Sequence, residues 1–247
     1  MMKRIFFLLV LSVSCLAVQA QDAPSVDEIL DQYFENIGGK AQWEALNSMK
    51  MTGKMFGQGM EFPGVLCMQR PNLQRLEIDI QGKQLVQAYD GETAWWINPF
   101  MGGEEAQPMP AEMAEEVTKE EFEDDFLNYK EKGHTVEYVG TEEVEGAECY
   151  VLKLTKASGD VEYHLFDTEY MIPIVQRTPI EEGPMKGQMA ETSMSDYQEV
   201  DGLMMPYYIA TKVNGQVVQA ITIETIELNP DFESSVFAYP KADEGNE

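Results

Sequence analysis

Apolar positions recur at helical spacing near the start of the chain and at strand spacing through most of the rest. In residues 25–37, SVDEILDQYFENI, six apolar side chains fall on one face: Val26, Ile29, Leu30, Tyr33, Phe34 and Ile37. That i, i+3, i+4 pattern predicts an amphipathic helix. Ser25 and Glu28 have the spacing of a capping box at its start, and Gly38-Gly39 ends it. The short stretch KAQWEALN then offers Trp43 and Leu46 to the same side.

Period-two alternation follows. MKMTGKMFG, EFPGVLCMQRP and LQRLEIDIQG read as strands, the last with Leu76, Ile78 and Ile80 alternating with Arg75, Glu77 and Asp79. KQLVQAYDG and ETAWWINPF are joined by Asp90-Gly91, a hairpin signal. Residues 101–133 change character. Loop signals give way to a helical pattern in which Met113, Val117, Phe122, Phe126 and Leu127 can share a broad face, with Glu and Asp on the other. After Gly133 the strand pattern resumes and runs, through short turns, to residue 228. The tail NPDFESSVFAYP offers Phe232 and Phe237 for burial, and residues 241–247 read as disordered. The sum is about eleven strands and two helical segments. This predicts a mainly β fold with some α: one antiparallel, strongly curved sheet or open barrel with helices packed on it. No shift in composition marks a domain boundary.

Trp95 and Trp96 sharpen the picture. Neighbours on a strand point to opposite faces, so two adjacent tryptophans require two apolar environments.

The ends and the charge place the chain in its compartment. Lys3-Arg4, the apolar run Ile5 to Val13, and Val18-Gln19-Ala20 have the order of an export signal, so residues 1–20 read as a cleaved leader and 21–240 as a single domain. Cys15 has a poor lipobox around it, which argues against a lipid anchor. The formal net charge is −27, and loss of the leader removes two more basic residues. Such a surface repels phosphate backbones and anionic membranes, which excludes nucleic-acid binding. Cys67 and Cys149 each lie in a strand-like run, open either to pairing or to burial as small apolar groups.

Candidate chemistry is sparse. The chain has no glycine-rich phosphate loop, no GxSxG elbow and no HExxH motif. His134 and His164 are the only histidines, and neither has a second ligand at metal spacing. The expectation is a protein without cofactor or metal that is not an enzyme, with a carboxylate-pair hydrolase as the minor alternative. Sixteen methionines stand out instead. Met49, Met51 and Met55 share one strand face, and Met60, Met68, Met204 and Met205 follow. Methionine adapts to apolar ligands of varied shape, so a cavity is one reading and an ordinary methionine-rich core the other.

The order of these motifs resembles the LolA-type family of periplasmic lipoprotein carriers, which sort lipoproteins to the outer membrane. In that family an Arg-Pro-Asn-Leu strand start is followed by an Asp-Gly-x-x-x-Trp-x-x-Asn-Pro-Phe hairpin. Arg70, Pro71, Asn72, Leu73, Asp90, Gly91, Trp95, Asn98, Pro99 and Phe100 stand in those places. The downstream pattern, from VEGAECYVLKLT to the tail, is similar to the longer relatives of Bacteroidetes-type genomes. The resemblance implies an unclosed antiparallel β-barrel whose apolar concave face is lidded by helices and shelters the acyl chains of lipoproteins or lipids. It also implies that Arg70 latches the lid through hydrogen bonds to backbone. The cavity candidates are then Trp95, Trp96, Phe100, Met49, Met51, Met55, Met68, Phe122 and Phe126. The implied setting is a periplasmic monomer that meets an inner-membrane release complex and an outer-membrane acceptor. The alternative on the same fold is an envelope sensor or scaffold that binds another protein.

Overall fold

The computed structural model describes residues 24–240 apart from 58, 102, 120 and 182. The leader, Cys15 and the tail 241–247 lie outside the described residues. Helix α1 (Val26–Asn36) begins at a formed capping box: the Ser25 hydroxyl accepts from the Glu28 N–H at 3.3 Å, and the Glu28 carboxylate accepts from the Ser25 N–H at 2.8 Å. Gly38 follows with φ of +110°. A Cβ there would stand 2.2 Å from the Gly202 carbonyl, so only glycine lets the helix end meet the sheet. A six-residue helix, α2 (Lys40–Ala45), completes the entry.

Thirteen strands then form one antiparallel sheet, against the eleven or so read from the pattern. The first six are β1 (Ser48–Gly57), β2 (Met60–Gln69), β3 (Leu73–Ile80), β4 (Lys83–Tyr89), β5 (Ala94–Asn98) and β6 (Gly103–Pro108). After α3 (Ala111–Lys119) come β7 (Thr135–Val144), β8 (Ala147–Thr155), β9 (Val161–Asp167), β10 (Pro173–Pro179), β11 (Met189–Val200), β12 (Leu203–Val213) and β13 (Gln216–Leu228). Strand β6 has almost no apolar alternation and reads as loop in the sequence. It exists because β5 offers it a partner, with Trp96 opposite Gln107 and Asn98 opposite Gly103. A short, glutamate-bearing, proline-ended strand also makes a safe sheet edge.

Two meanders, β1–β6 and β7–β13, are joined where β1 pairs with β13. A bulge at Thr52/Gly53 marks that seam, and a Cβ on Gly53 would stand 2.3 Å from the Thr222 carbonyl. The topology puts β6 and β7 at opposite edges of the sheet. The connection between them, residues 109–134, therefore crosses the whole sheet, and it does so on the face covered by α1. This crossing carries α3.

Helix α3 is shorter than the apolar pattern predicts. It stops at Lys119, so Phe122, Phe126 and Leu127 lie beyond it in turns. Farther on, Asp124 keeps the segment out of helical geometry: its carboxylate accepts from the Phe126 N–H at 2.8 Å, which takes a donor that a helix would use. Asn128 then turns the chain with φ of +53°. Released from helical spacing, Phe126 and Leu127 pack with Ile29, Leu30, Tyr33 and Phe34 of α1 onto Leu152, Leu154 and Phe166. Full burial of each such side chain contributes about 1.5–3 kcal/mol, so this cluster anchors both α1 and the crossing segment.

Cys67 and Cys149 are free thiols, both buried. They sit in different meanders, on β2 and β8.

Candidate functional site: an apolar cavity beneath α3

The strand registers place one row of side chains across the inner face of the first meander. Trp96 stands opposite Gln87, Gln87 opposite Leu76, Leu76 opposite Leu66, Leu66 opposite Met51, and Met51 opposite Ile226. Met55, Ile78 and Leu85 share its face at even offsets from this row, and Ile221 and Ile223 share it at odd offsets from Ile226 because the bulge at Thr52/Gly53 shifts the register by one residue. Met51, Leu66, Leu76 and Gln87 of the row, with Met55, Ile78, Leu85, Ile221 and Ile223, floor a cavity of about 640 Å³, and Met113, Glu116 and Val117 of α3 roof it. That volume lies within the roughly 300–1,000 Å³ typical of small-molecule sites. The floor is apolar apart from Thr52, Gln74, Gln87 and Gln219.

The adjacent tryptophans occupy opposite compartments. Trp96 packs on the cavity side beneath α3, with Ala94, Met109, Met113 and Val117. Trp95 faces outward, yet is fully buried, with 0% exposure. The C-terminal segment covers it: Trp95 Nε1 donates to the Phe237 carbonyl at 2.9 Å, and its ring centroid lies 6.1 Å from that of Tyr239. The segment is itself fastened to the outer face. Arg75 donates to the Val236 carbonyl at 3.1 Å, and Asp90 accepts from the Tyr239 N–H at 3.1 Å. Burial alone would raise the Asp90 carboxyl, but the N–H groups of Thr93, Glu92 and Tyr239 outweigh it and hold the carboxyl below its ordinary range.

The remaining candidates spread over several places. Met51 and Met55 line the cavity. Met49 and Met68 pack beside it, with Leu46, Leu203, Met205 and Phe122. Phe126 lies in the α1 core, 4.7 Å from the His164 ring. Phe100 is 54% exposed at the β5–β6 turn.

Arg70, the last residue before the β2–β3 corner, makes a compact set of contacts. Its Nε donates to the Leu46 carbonyl at 2.7 Å and its Nη2 to the Trp43 carbonyl at 3.1 Å, which satisfies the end of α2. Its Nη1 pairs with Glu123 in the crossing segment, and its guanidinium lies 5.5 Å from the Phe122 ring. Lys132 holds Glu123 from the other side at 2.9 Å. Burial would raise the Glu123 carboxyl, but hydrogen bonds from Arg70 and Lys132 prevail and lower it. Two amides hold the end of α3 itself. Gln74 Nε2 donates to the Val117 carbonyl at 2.5 Å, and Asn72 Nδ2 to the Thr118 carbonyl at 3.3 Å. Both close carbonyls that a helix end leaves open.

Gln74, Glu123 and Lys132 escape the sequence reading, and Asn72 enters it only as a position of the Arg-Pro-Asn-Leu motif, without a contact. Of the first three, Gln74 alone leaves a trace there, as a polar residue two places before the inward-facing Leu76 and Ile78.

A second polar network fastens the far end of the crossing segment. Tyr33 donates to Asp124 at 2.7 Å, and Lys156 bridges Asp125 and Glu162, each at 2.9 Å. Glu162 also meets His164 at 3.1 Å and Gln176 at 2.8 Å. Burial raises the Glu162 carboxyl, but the His164 and Lys156 contacts overcome this and lower it to about 2. Asp124 moves the other way, because burial outweighs the hydrogen bond from Tyr33. These carboxylates are committed to structural partners and lie outside the cavity lining. His134 Nδ1 accepts from the Ala157 N–H at 3.1 Å.

No family model and no curated protein sequence matches the chain. Solved structures do. One is a domain from Vibrio parahaemolyticus provisionally described as an outer membrane lipoprotein-sorting protein. It is similar with a TM-score of 0.57 at 11% identity, over 85% of this chain and 94% of that one. A DUF1329 family protein from Desulfovibrio piger gives a TM-score of 0.56 at 11% identity, over 87% and 97%. A LolA superfamily protein from Nitrosomonas europaea gives 0.56 at 12% identity, over 87% and 98%. At these identities the likeness is one of fold. The chain has the LolA-type fold, an open and curved antiparallel sheet with helices on its inner face.

Proposed function

We propose that this protein is a periplasmic, non-enzymatic carrier that shelters the acyl chains of lipoproteins or lipids beneath α3. The observation that carries this reading is the 640 Å³ largely apolar cavity between the sheet and α3, a lid helix whose end is held by Gln74 and whose following segment is held by Arg70. Each methylene moved from water into such a space gains about 0.8 kcal/mol, so acyl chains need no covalent chemistry to be held. Loading and release require α3 to lift, and Arg70 and Gln74 are placed to set how readily it does. The lipoprotein-sorting description of a protein with the same fold supports the same reading.

Native mass spectrometry of the protein purified from its own periplasm tests it. Co-purifying lipid or acylated protein is the expected result. A ligand-free protein that also fails to take up a fluorescent fatty acid would refute the carrier reading.

A further inference from the structure

Nine large apolar side chains are exposed among the described residues, and six of them lie at one end of the sheet: Met60, Phe100, Met101, Met185, Val217 and Val218. The registers show why these six belong together. The β1–β2, β3–β4, β5–β6 and β12–β13 turns and the β10–β11 loop all close at this end, with Gly57 opposite both Met60 and Gln219. Lys83 of the β3–β4 hairpin stands 5.6 Å from the Phe100 ring of the next turn, which ties the tips laterally. Arg70 and the ends of α2 and α3 lie at the other end. Met101 is 77% exposed on the tip of its turn, a position where nothing in the fold rewards methionine.

The cavity reaches this rim. Its lining residues Met55, Ile78 and Leu85 stand two residues from the ends of β1, β3 and β4. The apolar inner face therefore comes within two residues of the turn tips.

We infer that the rim is a membrane-docking face, whose apolar turn tips insert shallowly into an electrically neutral lipid surface and bring the cavity to it. The choice of occupant follows from shape and charge. The apolar residues are spaced one or two to a turn, which suits a fluid surface that deforms around each tip. Glu61, Glu104, Glu105 and Glu181 outnumber Lys83 and Lys186 beside them, so anionic headgroups are disfavoured and the attraction is apolar. The inference builds on the carrier reading for its purpose, but docking and cargo binding fail separately.

Flotation with phosphatidylcholine vesicles tests it, using the mature protein, the double variant Met101→Glu/Met185→Glu, and Tyr170→Glu as an exposed apolar site away from the rim. Uptake of a fluorescent fatty acid in vesicle-free buffer is measured in parallel. The wild type should float, and high salt should not release it. The rim variant should lose roughly tenfold or more of its vesicle affinity while keeping fatty-acid uptake, and Tyr170→Glu should match the wild type. Loss of fatty-acid uptake with flotation intact would defeat the carrier reading and leave docking standing. A wild type that ignores the vesicles, or a rim variant that floats equally well, overturns the inference and leaves a protein partner as the occupant of the rim.

Discussion

Arg70 and Glu123 form an ion pair that joins the end of β2 to the segment following α3, with both side chains about three-quarters buried. The same guanidinium satisfies the Trp43 and Leu46 carbonyls, so one side chain ties α2, the sheet and the crossing segment together. Replacing it by leucine strands two carbonyls and leaves Glu123 to Lys132 alone. Arg70→Leu is expected to cost about 1–3 kcal/mol of stability in urea unfolding. A double-mutant cycle with Glu123→Gln should return a coupling on the order of 1 kcal/mol. A strictly additive cycle would show that the pair does not hold the segment. If Arg70 latches the lid, Arg70→Leu should also change how completely cargo passes to an acceptor membrane, and unchanged transfer would remove it from that role.

Gln74 is the second fastening, and the more selective one. It is buried on the cavity floor and reaches the last turn of α3 through the Val117 carbonyl. Gln74→Leu keeps the approximate volume and removes that bond. Global stability should fall by only about 1 kcal/mol, while amide exchange across residues 111–119 should speed up more than it does in α1. Equal protection of α3 in both proteins would mean that Gln74 does not restrain it.

Trp95 and Trp96 should separate cleanly in experiment, because they sit in different compartments. Trp95→Ala empties the pocket beneath the C-terminal segment and frees the Phe237 carbonyl, so it should cost about 3–5 kcal/mol and leave fatty-acid affinity unchanged. Trp96→Ala should lower stability as well, and alone of the two should alter uptake, since it packs against the underside of α3. Fluorescence of the Trp95→Phe protein, read as cargo is added, checks the assignment.

What the sequence shows of this molecule is what depends on near neighbours. Helix α1 and its capping box need only residues 25–39. The alternation of Trp95 and Trp96 follows from strand geometry, and with it the need for two compartments. The identity of the second compartment depends on a segment some 140 residues away, which no local pattern announces. Strand β6 escapes notice because pairing with β5, and not its own side chains, makes it a strand. The lid is too long in the sequence because Phe122, Phe126 and Leu127 keep helical spacing by coincidence. Helix α3 stops at Lys119, and one hydrogen bond from Phe126 to Asp124 holds the later residues off a helical path. The cavity is half-legible for the same reason: Met51 and Met55 alternate visibly, but Ile209 and Ile221 join them only because β13 closes against β1.

Acid should weaken the attachment of the crossing segment through Glu162. Its carboxyl is lowered in the folded protein to about 2 from an ordinary value of 4.5. A depressed carboxylate contributes stability above its unfolded pKa and loses it as the pH falls toward the folded value, here between about pH 4.5 and 2. The contribution at neutral pH is on the order of 3 kcal/mol. Asp124 acts oppositely: its carboxyl is raised by burial, so acidification relieves part of its cost. Urea unfolding of the wild type and Glu162→Gln should therefore differ most near pH 7 and converge toward pH 2.5. A difference that stayed constant with pH would show that Glu162 contributes through packing alone.

Filling the cavity tests the functional reading without disturbing the fold. Leu76 and Ile221 both line the open space, on β3 and β13. In a close-packed core a larger side chain forces its neighbours off their rotamers, at about 1–3 kcal/mol. Here 640 Å³ is open, so an added ring can occupy space that no protein atom holds. Leu76→Trp and Ile221→Trp should therefore leave the urea midpoint unchanged or raise it. The same rings take the volume an acyl chain needs, so fatty-acid affinity should fall by about tenfold or more in each. Substitution at Leu152, which is fully buried against α1, supplies the contrast. Leu152→Trp should destabilise the protein by overpacking. Tryptophan at 76 and 221 that destabilised as much as at 152 would show that the space beneath α3 is not available to a ligand. Full stability with undiminished uptake would place the acyl chain elsewhere on the molecule.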